Sequence, residues 1–124
     1  MNLKFTSDIP VYLQLMEQIR SAVLTGQFLP GGKIPSVRDL AAQAQVNPNT
    51  IQHALHLLEQ EGLLSAHGTS GRFVTEDPQV LQKLREERIH ILAKEYAEKF
   101  AALGLSPAQA AQEILGLERT DNHG

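Results

Sequence analysis

A pair of short helices separated by a tight turn is predicted in the first half of the sequence, and it limits the folds that this chain can adopt. Ser36 can cap the first helix, because Asp39 follows three residues later and completes an S-x-x-D capping pattern. Asn47 and Pro48 are residue types preferred at a helix start, and the second helix is predicted to end before Gly62. The pair predicts a helix-turn-helix, in which the second helix enters the major groove of DNA.

The flanking segments predict a winged helix-turn-helix, a mostly α fold with three helices and a β-hairpin wing. Apolar residues recur at helical spacing over Pro10–Leu24, and Gly26 is the expected stop of that helix. Two short strands, residues 63–67 and 72–75, border a loop flanked by glycines and predict the hairpin. A weaker pattern predicts a short strand at residues 3–5.

A domain boundary is predicted at Pro78, with a DNA-binding domain at residues 1–77 and a two-helix dimerisation region at residues 78–124. A long helix is predicted at residues 79–103, and a second helix follows an S-x-x-Q capping pattern at Ser106. The two helices carry too much apolar surface to stand alone in water. We expect them to pair with a second copy of the chain, and the alternative is packing within one chain. The predicted dimerisation residues share one side of these helices: Ile89, Leu92, Tyr96, Phe100, Leu103, Ile114 and Leu115.

The charge balance argues mildly against nucleic acid. The 124 residues carry a net charge of −3, and residues 1–77 contain five Lys or Arg against seven Asp or Glu. A DNA-binding domain usually has a basic surface. The prediction therefore depends on placement, and three cations, Lys33, Arg38 and Arg72, lie close to the predicted second helix and wing.

Several classes of protein are not expected. The sequence has no cysteine, no signal-like N-terminus and no apolar run near the ~20 residues of a membrane span, which predicts a cytoplasmic protein without a membrane partner. It has no G-x-S-x-G motif and no P-loop, so an enzyme is not predicted. The five histidines lack carboxylates at suitable spacing, and no metal or other cofactor is predicted.

The second helix of the pair has an uncharged polar face. Four side chains recur along it at helical spacing: Asn49, Gln52, His53 and His56. Solvated helix faces usually carry Glu, Lys and Arg, whereas residues 47–58 carry no charge, which favours DNA reading over an ordinary solvated face. Asn and Gln each offer a donor and an acceptor and can bind adenine pairwise. Asn47, Thr50 and the free N–H groups at the helix start can bind phosphates.

The remaining candidate contacts are one arginine and the tip of the wing. Arg38 lies in the first turn of its helix, where a cation is unfavourable to the helix dipole, which favours a phosphate or groove contact. The alternative is a surface arginine paired with a carboxylate. His67, Gly68 and Arg72 border the hairpin tip, and Arg or His can enter a narrow minor groove. The alternative for the glycine is that it only satisfies turn geometry.

Over residues 8–75 the chain resembles the GntR family of bacterial transcription regulators. The matching segments are 10–14, 26–29, 34–41, 46–52, 54–55, 58–59, 61–64 and 68–74. The Val-Asn-Pro-Asn-Thr segment and the short C-terminal region resemble the YtrA subfamily, whose members carry two C-terminal helices for dimerisation and no large effector domain. The DNA contacts implied by the resemblance are Ser36, Arg38, Pro48, Asn49, Thr50, Gln52, His67 and Gly68.

The resemblance implies a homodimeric repressor of a palindromic operator and leaves any small-molecule effector unknown. Many family members have arginine at the positions of Pro48 and Gln52, so this chain should bind phosphates less strongly and prefer adenine over guanine. The alternative function is a winged-helix protein-interaction module that does not bind DNA. The acidic balance slightly favours that alternative, and the uncharged face with Arg38 favours DNA.

Overall fold

The computed structural model describes residues 1–121, so residues 122–124 of the predicted C-terminal region lie outside the description. The chain divides into two compact units, residues 1–85 and the residues from 86 onward. Within residues 1–121, no helix is both long enough and apolar enough to cross a bilayer. The elements, in chain order, are α1 (Val11–Leu24), α2 (Val37–Ala44), α3 (Pro48–Gln60), β1 (Leu64–Ala66), a 3₁₀ turn (Gly68–Ser70), β2 (Arg72–Val74), α4 (Pro78–Ala102) and α5 (Pro107–Asp121).

The first unit has the predicted winged helix-turn-helix fold. α3 packs against both α1 and α2, and its apolar stripe of Ile51, Leu55 and Leu58 is fully buried. α1 begins one residue later than predicted, because Pro10 occupies the N-cap position and its carbonyl accepts the first helical hydrogen bonds. The other buried side chains come from α1, α2, the wing and the segments beside them, among them Leu15, Ile19, Ile34, Leu40, Leu63, Leu64 and Val74.

The turn between α2 and α3 depends on a left-handed residue. Gln45 has φ 54° and ψ 45°, and among residues 1–121 it is the only non-glycine residue with positive φ. This conformation lets the Val46 N–H donate to the carbonyl of Ala41 at 3.2 Å, which closes the end of α2. The left-handed conformation is strained for a residue with a Cβ, and this strain lies in the turn that sets the angle between α2 and α3.

Replacing Gln45 with glycine is expected to raise the free energy of unfolding by about 0.5–1 kcal/mol. Glycine adopts the left-handed conformation without the Cβ penalty, and this relief exceeds the entropic cost of glycine in the unfolded chain. Urea denaturation measures the change. Gln43→Gly, an exposed position inside α2, is the matched control and should instead destabilise by about 0.5–1 kcal/mol. If the two variants change stability in the same direction, strain at Gln45 is not the cause.

The predicted strand at residues 3–5 is wrong, because side-chain amides take the place of a neighbouring strand. The Gln18 amide donates to the Lys4 carbonyl at 2.7 Å, and its oxygen accepts from the Lys4 N–H at 3.2 Å. Gln14 forms the same pair of hydrogen bonds with Thr6, each of 2.8 Å. The N-terminal segment is therefore attached to α1 in an extended form without a β ladder.

The wing consists of two strands and a short paired segment. β1 and β2 are antiparallel, with Ser65 opposite Phe73, and both strands are shorter than predicted. Residues 31–34 pair with the other edge of β2, since Gly31 N–H donates to the Val74 carbonyl at 2.9 Å and Ile34 N–H to the Arg72 carbonyl at 3.0 Å. This pairing, which the sequence did not predict, joins the base of the wing to the segment that leads into α2.

The C-terminal region forms the two predicted helices. The first two turns of α4 belong to the first unit, where Leu81 and Leu84 pack against the core. The second unit begins after Arg85, within α4, and not at the start of the helix at Pro78. The predicted capping box of α5 is present: Ser106 N–H donates to Gln109 Oε1 at 2.8 Å, and Gln109 N–H donates to Ser106 Oγ at 3.2 Å. These reciprocal bonds account for the start of the last helix.

Candidate nucleic-acid interface

The start of α3 is capped as the sequence predicts. The Asn47 side chain accepts a hydrogen bond of 2.8 Å from the Asn49 N–H, and Pro48 occupies the first helical position. The expectation of several free N–H groups here is wrong, because Pro48 has none and Asn49 and Thr50 both donate theirs to Asn47. Any phosphate contact at this end must therefore come mainly from side chains.

The predicted reading face of α3 is exposed, and its two halves differ. The side-chain amides of Asn49 and Gln52, near the start of the helix, have no hydrogen-bond partner within residues 1–121. The His53 ring contacts the Tyr12 ring of α1, with 4.7 Å between centroids and an angle of 57°. His56 lies 3.3 Å from Gln60 through their Nε2 atoms. The two amides nearest the helix start are thus the groups available to a ligand.

The Ser36 hydroxyl has a structural role and keeps a free donor. Its oxygen accepts a hydrogen bond of 3.1 Å from the Asp39 N–H, as the capping pattern predicts. A hydroxyl that accepts in this way can still donate its own hydrogen to an anion. Thr50 is half-buried in the first turn of α3, and its hydroxyl has no partner in the described part of the chain.

Two of the cations that the sequence predicts as near the DNA have no ion pair among the described residues. Arg38 is exposed and forms no ion pair with any residue that the structure describes, which removes the alternative of a surface arginine tied to a carboxylate. Lys33 is also exposed and without an ion pair in that range. Its side chain lies across the backbone of Gly71, where an added Cβ would come within 2.8 Å of Lys33 Cε. Although acidic residues outnumber basic ones in this domain, none of the described carboxylates pairs with Arg38 or Lys33.

Arg72 is placed differently from the other two cations. Its guanidinium pairs with Glu59 in the last turn of α3, and the two side chains are only 17% and 23% exposed. Glu59 Oε2 also lies 4.0 Å from His56 Nδ1. A groove contact through Arg72 would require this pair to open. Sequence reasoning missed Glu59 because no local signal links two residues that only the path of the hairpin brings together.

The tip of the wing is open to solvent and depends on glycine. Gly68 has φ +57° with nothing within 4 Å of an added Cβ, and Gly71 has φ +111°. His67 packs edge-on against Phe73, with 5.0 Å between ring centroids, and its Nε2 lies 3.0 Å from Ser65 Oγ. Turn geometry accounts for both glycines, and the same geometry leaves the Gly68 backbone unobstructed for an approaching strand.

The predicted dimerisation residues remain on the surface of a single chain. Phe100 is half-buried, and the other six are between 39% and 81% exposed. Seven apolar side chains on α4, on α5 and in the turn between them therefore remain at least partly accessible to solvent in one chain. Among the described residues, no three His, Asp or Glu side chains come together to hold a metal ion.

Comparison with protein families gives a match over most of the first unit. The model described as bacterial regulatory proteins, gntR family, matches residues 11–74. The uncharacterized HTH-type transcriptional regulator YhcF of Bacillus subtilis is 32% identical over 114 residues, 92% of this chain and 94% of that protein. The HTH-type transcriptional repressor YtrA of B. subtilis is 38% identical over 71 residues, 57% of this chain and 55% of that protein.

Solved structures agree with these matches. A GntR family transcriptional regulator from Listeria monocytogenes superposes with a TM-score of 0.78 at 28% identity and covers 94% of this chain and 98% of its own. The AraR DNA-binding domain in complex with operator ORX1 has a TM-score of 0.55 at 34% identity, over 58% of this chain and 93% of that one. The first of these extends the likeness through the C-terminal helices, and the second was solved on operator DNA.

Proposed function

Because the chain belongs to the GntR family of bacterial regulatory proteins, we propose that it is a homodimeric repressor that recognises a palindromic operator. That it is a DNA-binding transcription regulator, and not an enzyme, follows from the family. The observation that supports operator recognition is the exposed start of α3, where the Asn49 and Gln52 amides have no partner among residues 1–121 and Arg38 of the preceding helix has no ion pair in that range.

The proposed contacts divide by chemistry. Asn49 and Gln52 read base edges in the major groove, since a side-chain amide can bind adenine through a donor and an acceptor. Exposed groups on α2 and at the start of α3 bind phosphates and set the register of the helix. His67 and Gly68 bring the wing tip to the minor groove. The remaining proposed contacts are Ser36, Arg38, Asn47, Pro48, Thr50 and His53; Arg72 is left out because its guanidinium pairs with Glu59.

Dimerisation supplies the symmetry of the proposed operator. Two-fold pairing of α4 and α5 would cover the exposed apolar side chains, including Tyr96 and Ile114. Two α3 helices related by this axis would meet half-sites about one turn of DNA apart. Repression is supported by the relative YtrA, which carries the name of a repressor.

The proposal is tested by selecting binding sites from a random duplex library at moderate salt. We expect a palindromic motif, and binding should weaken steeply as salt rises because phosphate contacts release counterions. A folded protein that recovers no motif and shows no salt slope would favour the protein-interaction module. A motif without two-fold symmetry would overturn the homodimer and leave DNA recognition intact.

Gln52→Ala is expected to relax the preference at one base pair of each half-site by about 1–3 kcal/mol, with little change elsewhere in the motif. The selection is repeated with the variant and compared position by position. Gln60→Ala is the matched control, because Gln60 is the last residue of the same helix and its amide already contacts His56. An unchanged motif with Gln52→Ala would mean that another side chain reads the base.

A further inference from the structure

The contact between Arg72 and Glu59 joins the wing to α3. Arg72 is the first residue of β2, Glu59 is the next-to-last residue of α3, and the two are 13 residues apart in sequence. Both side chains are half-buried, so the pair is shielded from solvent more than an ordinary surface ion pair. By contrast, the pair of Arg20 and Glu61, at 2.5 Å, has its carboxylate 43% exposed and joins α3 to α1 instead.

The ion pair lies next to the wing tip and can restrain its orientation. β1 and β2 have three residues each, and residues 31–34 add hydrogen bonds along the other edge of β2 as far as the Arg72 carbonyl, but among the described residues none of these bonds reaches the tip at residues 67–71. In that register Ala66 lies opposite Arg72, and the tip from His67 to Gly71 follows at once. An ion pair at the last ladder position therefore restrains the angle at which the tip leaves the sheet.

We infer that Glu59 and Arg72 form a clamp that fixes the wing tip relative to α3, so that Arg72 acts on DNA binding as a positioning residue and not as a DNA contact. This inference rests on the proposed function, because it concerns how the wing and the reading helix meet one operator together. His56 Nδ1 lies 4.0 Å from Glu59 Oε2, and the Lys33 side chain lies against Gly71, the residue before Arg72.

The clamp and a direct DNA contact predict opposite changes in operator affinity for the substitution Glu59→Gln. Glu59→Gln removes a negative charge from a protein that binds a polyanion, and it frees the Arg72 guanidinium. If Arg72 contacts DNA, both effects strengthen binding. If the pair is a clamp, the wing tip loses its restraint, and operator binding weakens although the electrostatic balance has improved.

The experiment compares Glu59→Gln with Glu61→Gln by fluorescence anisotropy, on the selected operator duplex and on a random duplex of equal length. The control removes the same charge two residues further along and breaks the pair with Arg20. We expect Glu59→Gln to weaken operator binding about fivefold per half-site, the limit set by the strength of a partly exposed pair. Random-duplex binding should not weaken. Operator binding that is unchanged or tighter than wild type overturns the clamp.

A second arm measures the coupling between the two residues. In the clamp, Arg72→Gln adds little to the loss already caused by Glu59→Gln, because both break the same pair. The salt slope also stays unchanged, since no Lys or Arg leaves the DNA. A direct contact instead predicts that Arg72→Gln lowers the slope by about 0.9 for each half-site. That result, or additive losses, contradicts the clamp.

Hydrogen exchange without DNA separates this inference from the proposed function. In Glu59→Gln the amides of His67 and Ser70, whose N–H groups bond within the tip, should exchange faster than in wild type, while those of α1 stay unchanged. Unchanged tip exchange overturns the clamp whatever the DNA result. Failure of the wild type to select any duplex would refute the proposed function, and the exchange result would still decide whether the pair restrains the tip.

Discussion

Replacing Tyr96 and Phe100 together with glutamate is expected to yield a monomer that binds the operator at least about 100-fold more weakly than the wild type. Four charges introduced at a two-fold interface of α4 would be buried without partners, which disfavours association. A monomer can hold only one half-site at a time and loses the effective concentration that links the two, which is worth about 10²–10⁴ in affinity. Sedimentation and operator titration measure the two effects.

The matched control for this double variant is Lys94→Glu. It changes the net charge by the same two units and lies on the other side of α4, away from the spacing that joins Ile89, Tyr96 and Phe100. We expect it to remain dimeric. Circular dichroism should report the same helix content in the double variant as in the wild type. A double variant that is still a dimer would place the interface elsewhere on the chain.

Arg38→Ala is expected to lower affinity about 100-fold for the operator and for a random duplex alike. Each half-site would lose one charge-assisted contact with a phosphate, and a dimer loses two. For the same reason the slope of log affinity against log salt should become shallower by about 1.8. Stability should change little, because Arg38 is exposed and has no ion pair among residues 1–121.

Two controls show what kind of contact Arg38 makes. Arg38→Lys keeps the charge and should preserve most of the slope, while losing affinity if the guanidinium binds in a bidentate way. Lys94→Ala removes one positive charge outside the proposed DNA face and should leave both duplexes bound as in the wild type. A loss confined to the operator would make Arg38 a base-reading residue and would contradict the phosphate assignment.

Signals confined to a few neighbouring residues were sufficient to predict most elements of the fold. Helix starts followed from Ser36, Asn47 and Ser106, because a cap depends on groups two or three residues away. The apolar stripe of α3 and the uncharged face opposite it were both predicted from the spacing of three and four residues that is typical of a helix. Those signals were enough for the winged helix-turn-helix, for the two C-terminal helices and for the resemblance to the family.

Which of the predicted side chains are available to bind DNA became clear only from contacts between elements. The sequence predicts both Arg38 and Arg72 as DNA contacts, yet Arg38 has no ion pair among the described residues and Arg72 pairs with Glu59. The strand predicted at residues 3–5 failed because Gln14 and Gln18 supply the hydrogen bonds that another strand would. In each case the deciding partner is distant in the chain. Local propensity acts over one or two turns, whereas these contacts depend on how the hairpin folds against α3 and how the N-terminal segment folds against α1.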